Sequence, residues 1–149
     1  MTFKDPNFQL AMNIVRDMDT HPGNFTMEGG RTFAGRHLLI DFFGASKLTS
    51  PKHTHDTILR CVNAIQATLL NIHVHDFGKG KGVSAVAMLA ESHISMHSWP
   101  EESFVSIDIF TCGQCVPKAA IPILNKAYTP KLMNIQEYFR GERPLANAF

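Results

Sequence analysis

Between Glu91 and Glu101 the chain reads Glu-Ser-His-Ile-Ser-Met-His-Ser-Trp-Pro-Glu, a stretch dense in hydroxyls, imidazoles and carboxylates. It follows a run of apolar and small residues from Val83 to Ala90. A buried strand that turns polar in this way either delivers reactive groups to the edge of a core or simply leaves the core, and composition does not separate the two. The unperturbed imidazole pKa lies near physiological pH, which suits proton removal. Further on, Cys112-Gly113-Gln114-Cys115 is a CxxC, for which a redox pair or half a zinc site are the generic readings. Only Cys61 remains as another sulfur ligand, and no thioredoxin-like βαβ pattern surrounds the motif. His73 and His75 share a strand face at a spacing that could bind a metal. No third ligand is near in sequence, so half-exposed strand histidines are the expectation. Phe77-Gly78-Lys79-Gly80-Lys81-Gly82 lacks the spacing of a phosphate-binding loop and reads as an exposed connection.

The elements that must position these groups follow from periodicity. His37–Phe43 alternates, with Leu38, Ile40 and Phe42 on one side, and reads as a strand. Gly44–Pro51 is a loop in which Thr49 or Ser50 caps the next helix. Ile58, Leu59, Val62, Ile65 and Leu69 recur at helical spacing, and Cys61 within that helix reads as a buried small residue. Leu70, Ile72 and Val74 alternate with Asn71, His73 and His75 in a second strand. Val83–Ala90, His93–Trp99 and Phe104–Phe110 are three more, with Pro100–Ser103 as a hairpin turn. Val116, Ala119, Ala120, Ile123, Leu124 and Ala127 predict a second helix, and Lys131–Phe139 alternates weakly as a last strand. The pattern predicts an α+β two-layer sandwich, helices on one face of an antiparallel sheet and the other face open to a second copy. Residues 1–33 read as an N-terminal extension, with a short helix using Leu10, Met12, Ile14, Val15 and Met18 and a flexible joint at Glu28-Gly29-Gly30.

Composition bounds the function. The 149 residues are 44% hydrophobic and 18% charged, which fits one globular domain. A formal net charge of +1 gives no electrostatic reason to expect nucleic acid or an anionic membrane as partner. Three cysteines, an odd count, argue against a secreted disulfide framework. No apolar run marks a signal peptide or approaches the roughly 20 residues of a membrane span. The expectation is a soluble cytoplasmic protein.

Taken together, Gly35-Arg36-His37-Leu38-Leu39, Gly82-Val83-Ser84, Glu91-Ser92-His93, His97, Trp99-Pro100-Glu101 and Phe110-Thr111-Cys112-Gly113 resemble, in order and spacing, the short bacterial and archaeal S-adenosylmethionine decarboxylase proenzymes. The resemblance covers about residues 34–128. It implies the family's decarboxylase-like two-layer fold in residues 34–149, a homodimer, and self-cleavage between Glu91 and Ser92 into a beta chain, 1–91, and an alpha chain, 92–149. In that reaction the Ser92 hydroxyl attacks the carbonyl of Glu91. Removal of the Ser92 α-proton then expels the Glu91 carboxylate by β-elimination, and the dehydroalanine left behind hydrolyses to a covalently bound pyruvoyl group and ammonia. Amides are inert enough that this needs backbone strain, a base and stabilisation of the oxyanion. By resemblance His97 is the processing base and Ser84 assists it. The pyruvoyl ketone forms a Schiff base with the substrate amine and takes the place of pyridoxal phosphate as electron sink, with no metal and no added organic cofactor.

By the same resemblance Cys112 is the proton donor that completes turnover, a task suited to a thiol. A Cys112–Cys115 disulfide would remove that donor. Glu101 binds the ribose hydroxyls of S-adenosylmethionine, and Phe77 stacks on the adenine and faces the sulfonium. The turn after Phe77 is one residue longer than is usual in the family. The reaction implied is release of carbon dioxide to give decarboxylated S-adenosylmethionine, the aminopropyl donor of spermidine synthesis. Two other readings stand beside it: decarboxylation of a free amino acid, arginine or ornithine, on the same fold, and a non-cleaving regulatory homologue.

Overall fold

The computed structural model describes residues 25–142, so the helix predicted over Leu10–Met18 lies outside the described residues, as do residues 143–149. The sheet is built on β3 (Gly35–Phe43), whose Leu38, Ile40 and Phe42 are fully buried on one face. It is followed by helix α1 (Pro51–Ala64), β4 (Leu69–Asp76), β5 (Val83–Leu89), β6 (Ser92–Trp99), β7 (Phe104–Cys112), helix α2 (Ile121–Tyr128) and β8 (Leu132–Arg140). Six strands form one sheet in the order β4-β5-β6-β7-β3-β8, with every neighbouring pair antiparallel. The helices cover one face. Their Ile58, Val62 and Leu124 pack on Leu38, Ile40, Ile94, Met96, Ile107 and Ile109 in a single core. This is the two-layer α+β arrangement that the alternation predicts.

Ser50 caps α1, its Oγ accepting from the His53 N–H at 3.2 Å, with Pro51 at the first helical position. The helix closes earlier than its apolar spacing suggests. Gln66 takes a left-handed φ of 62°, and the N–H groups of Gln66 and Ala67 return to the carbonyls of Asn63 and Val62. That is the doubly bonded helix stop, here made without glycine. Leu69, read as the last helical residue, therefore begins β4. A bulge between Leu69 and Asn71 shifts the register there. Leu69 packs against the core, while Leu70, predicted to share a face with Ile72 and Val74, is 59% exposed.

Glu28-Gly29-Gly30 is a hairpin turn and not a flexible joint. It joins β1 (Thr26–Glu28) to β2 (Arg31–Phe33), with both glycines at positive φ as the tightest hairpin turns require. The hairpin is fixed to the domain: Phe33 is buried edge-on to Phe139, Arg36 pairs with Glu28, and Ala34 N–H donates to the Arg140 carbonyl at 2.8 Å.

The face of the sheet away from the helices carries His73, His75, Ser84, Val86, Met88, His93, Ser95, His97, Trp99, Asp108 and Phe110. Of these Val86 is 48% and Met88 52% exposed.

Candidate active site

The turn between β5 and β6 is only two residues, Ala90 and Glu91, because Leu89 pairs directly with Ser92. It is tied down from α1's exit: Ala90 N–H donates to the Thr68 carbonyl at 2.9 Å, and Thr68 N–H donates to Glu91 Oε2 at 2.9 Å. Ser92 leaves this turn with φ 147°, in a region that costs a residue with a side chain about 1–3 kcal/mol. The ladder to Thr111 on β7 holds it there. The carbonyl just ahead, that of Glu91, accepts the Cys112 N–H at 3.0 Å. The Ser92 hydroxyl lies 3.3 Å from His93 Nδ1. A strained serine, a polarised carbonyl on its N-terminal side and an imidazole are thus in one place. Neither Thr68 nor the Cys112 amide was flagged by sequence reasoning. Both act through main-chain groups or over long separations, which leave no trace in spacing.

Glu91 and Cys112 line a cavity of ≈ 540 Å³ with Phe25, Gln66, Gly113 and Cys115. Thr26 of the hairpin donates to the Gly113 carbonyl at 3.3 Å. Gly35 lies opposite Cys112 in the sheet, where a Cβ would come within 2.6 Å of the Thr111 carbonyl. All three thiols are free, and Cys115 is buried. Desolvation first, then the nearby charges of Glu91 and Cys112, push the Cys115 thiol up. Burial pushes Cys61, inside the helical layer, up to about 12, so it remains an inert packing thiol.

The other four predicted residues sit together elsewhere. Ser84 and His97 are opposite one another on β5 and β6, with Ser84 Oγ 2.8 Å from His97 Nδ1. With Phe77, Glu101 and Trp99 they line a second cavity of ≈ 500 Å³. Its floor needs Gly82, where a Cβ would collide with the Ser98 carbonyl. His97 lies five residues beyond Ser92 on the same strand, about 17 Å at a rise of about 3.3 Å per residue. One chain therefore does not bring Ser92 and Cys112 together with Ser84, His97, Phe77 and Glu101. His73 and His75 are exposed on edge strand β4, and His75 packs edge-on to Phe77. Among the described residues no group of three or more His, Cys, Asp or Glu could hold a metal ion.

The family model of S-adenosylmethionine decarboxylase matches residues 36–141. An S-adenosylmethionine decarboxylase proenzyme of Thermomicrobium roseum is 37% identical over 108 residues, 72% of this chain and 93% of the relative. One of Pyrobaculum aerophilum is 38% identical over 120 residues, 78% of this chain and 94% of the relative. The crystal structure of the adenosylmethionine decarboxylase of Aquifex aeolicus superposes with a TM-score of 0.67 at 26% identity, covering 78% of this chain and 97% of that one.

Proposed function

The chain belongs to the S-adenosylmethionine decarboxylase family, and from that premise we propose that it cuts itself between Glu91 and Ser92 and then decarboxylates S-adenosylmethionine. The enzyme is a carboxy-lyase whose product is the aminopropyl donor of polyamine synthesis. The same reading places it in the cytoplasm; among the described residues no helix is long and apolar enough to cross a membrane.

One observation carries the assignment of the cleavage point: Ser92 is strained while the carbonyl it would attack already accepts a main-chain donor. Attack by the Ser92 Oγ moves negative charge onto the Glu91 oxygen, and the Cys112 N–H is in position to hold it. Breaking the amide releases the strain at Ser92, so the strain favours the step. The residues present fit a carbonyl group derived from Ser92, since its neighbour Glu91 and Cys112 line one cavity. Once formed, that pyruvoyl group supplies the electron sink that allows carbon dioxide to leave. Cys112 then holds the proton that must reach carbon. Glu101 accepts from the ribose diol, and Phe77 offers its ring face to the cationic adenosyl group.

His97, the processing base, and its partner Ser84 act from a second copy of the chain. The reason is geometric. The Ser92–Cys112 cluster and the Ser84–His97 cluster occupy opposite ends of β6. A twofold axis lying between two facing sheets, and running across the strands, lays one end over the other. The exposed Val86, Met88 and Trp99 on the open face give such a homodimer apolar area to bury.

The test is an intact-mass spectrum of purified protein treated with S-adenosylmethionine and cyanoborohydride. The expected result is two chains, 1–91 and 92–149, with a substrate-derived adduct on the second. Two chains that gain an adduct from arginine or ornithine but not from S-adenosylmethionine would move the substrate to a free amino acid. A single chain of full mass would sink self-processing.

A further inference from the structure

On the helical layer, behind the sheet, a cavity of ≈ 480 Å³ opens between α1, α2 and the loop that leaves β3. It is lined by Lys47, His53, Arg60 and Lys126 over a floor of Ile123 and Ala127. No carboxylate lines it. Among the described residues, none of Lys47, Arg60 and Lys126 has an Asp or Glu within ion-pair distance. The acid closest along α1, Asp56, is engaged by Lys52 at 2.6 Å and by His55 at 3.4 Å. The chain as a whole carries only +1, so three cations around one concavity are not a sample of a generally basic surface. Like charges gathered in a cleft repel one another and focus a field that concentrates counter-ions.

The site is also held in shape. Lys47 has a left-handed φ of 60°, on a loop pinned at the two residues before it. Ala45 N–H donates to the Ser103 carbonyl and Ser46 N–H to the Tyr128 carbonyl, each at 2.8 Å, and the Ser46 and Thr129 hydroxyls meet at 2.8 Å. Arg60 donates one guanidinium N–H to Thr57 Oγ1 at 2.9 Å, which orients the fork and leaves its other donors available. His53 Nε2 bonds the Ala127 carbonyl at 3.1 Å, so that nitrogen carries the proton.

We propose that this cavity binds a small anion made of two or three linked phosphoryl groups. A lone carboxylate would answer one of the three cations. A short phosphate chain answers all of them, and it suits a guanidinium and two ammonium groups that line one cavity. The volume lies within the roughly 300–1,000 Å³ of small-molecule sites, whereas a nucleic acid would need an extended basic track. The site is on the layer opposite the open sheet face, so it is independent of the catalytic reading.

The experiment is calorimetry on the intact protein with tripolyphosphate, ATP, adenosine and sulfate, at constant ionic strength. One tripolyphosphate per chain is expected, with affinity reduced about tenfold or more by Arg60→Gln and by the pair Lys47→Glu and Lys126→Glu, the effect of losing charge-assisted bonds. Unchanged decarboxylation by these variants would establish that they fold; should the charge reversals not fold, Lys126→Ala is the variant to use. Equal affinity for ATP and tripolyphosphate assigns the phosphate chain alone, and tighter ATP adds its base over Ile123 and Ala127. Sulfate binding as well as tripolyphosphate, no saturable heat, or variants that bind unchanged would overturn the proposal.

Discussion

Cys112 enters the candidate site twice, once through its main chain and once through its side chain. Its N–H holds the Glu91 carbonyl, while its thiol belongs to the cavity beside it. The two roles separate on mutation. Cys112→Ala keeps the amide, so self-cleavage is expected to persist while kcat falls by about 10²–10⁴-fold, the usual worth of a positioned acid, with KM little changed. Mass spectrometry and carbon dioxide release read the two steps, and an uncleaved Cys112→Ala chain would count against the division. His37 gives a residue-scale pH effect. Burial, the largest influence, lowers it below the ordinary 6.5, against the pull of Asp108 3.5 Å away and with the push of Arg140 and His93. On acidification the unfolded chain takes the proton first, so stability is present above pH 6.5 and is lost as pH falls below it. Urea unfolding at neutral and mildly acidic pH should show a smaller loss for His37→Gln than for the parent. At this scale the structure sets the Ser84 and His97 side chains face to face as a bonded pair. The Thr68 N–H on the Glu91 carboxylate was illegible, because any residue type supplies an amide.

Among the elements, α1 separates what a sequence signals from what it leaves open. Its start is chemical, a serine hydroxyl before a proline, and was readable. Ser50→Ala should lower stability by about 1 kcal/mol, seen as a drop in Tm, and an unchanged Tm would mean that Pro51 alone sets the start. Its end was not readable, because Gln66 takes the left-handed position usually given to glycine. The apolar spacing then ran on into Leu69, and the bulge after it turned Leu70 outward. Strand β8 gave only weak alternation for a related reason. As an edge strand it exposes Leu132, Met133, Ile135 and Tyr138, so neither of its faces is cleanly apolar.

For the whole molecule, fold class was legible because strand-length apolar runs and two helices with apolar stripes recur along the chain. Which site residues share a cavity was not, since that depends on strand register across the sheet. The proposed sharing of the site between two copies makes a sharp prediction. On that proposal Ser92→Ala cannot form the reactive group and His97→Ala lacks the base, so each alone should stay at full length. Co-expressed, the His97→Ala chain should be cut by the His97 of its Ser92→Ala companion. If no 92–149 fragment forms in the mixture, the base acts within its own chain.

The strand order has one more consequence. A cut after Glu91 leaves β3, β4 and β5 on the first chain and β6, β7 and β8 on the second. Along the sheet the two chains alternate as β4-β5, then β6-β7, then β3, then β8. Three hydrogen-bonded seams, β5 to β6, β7 to β3 and β3 to β8, would join separate polypeptides. Neither fragment could slide out without unzipping the weave. Maturation would therefore leave each protomer in two halves that, once parted, must find each other again, so that its recovery from denaturant gains a step second order in protein.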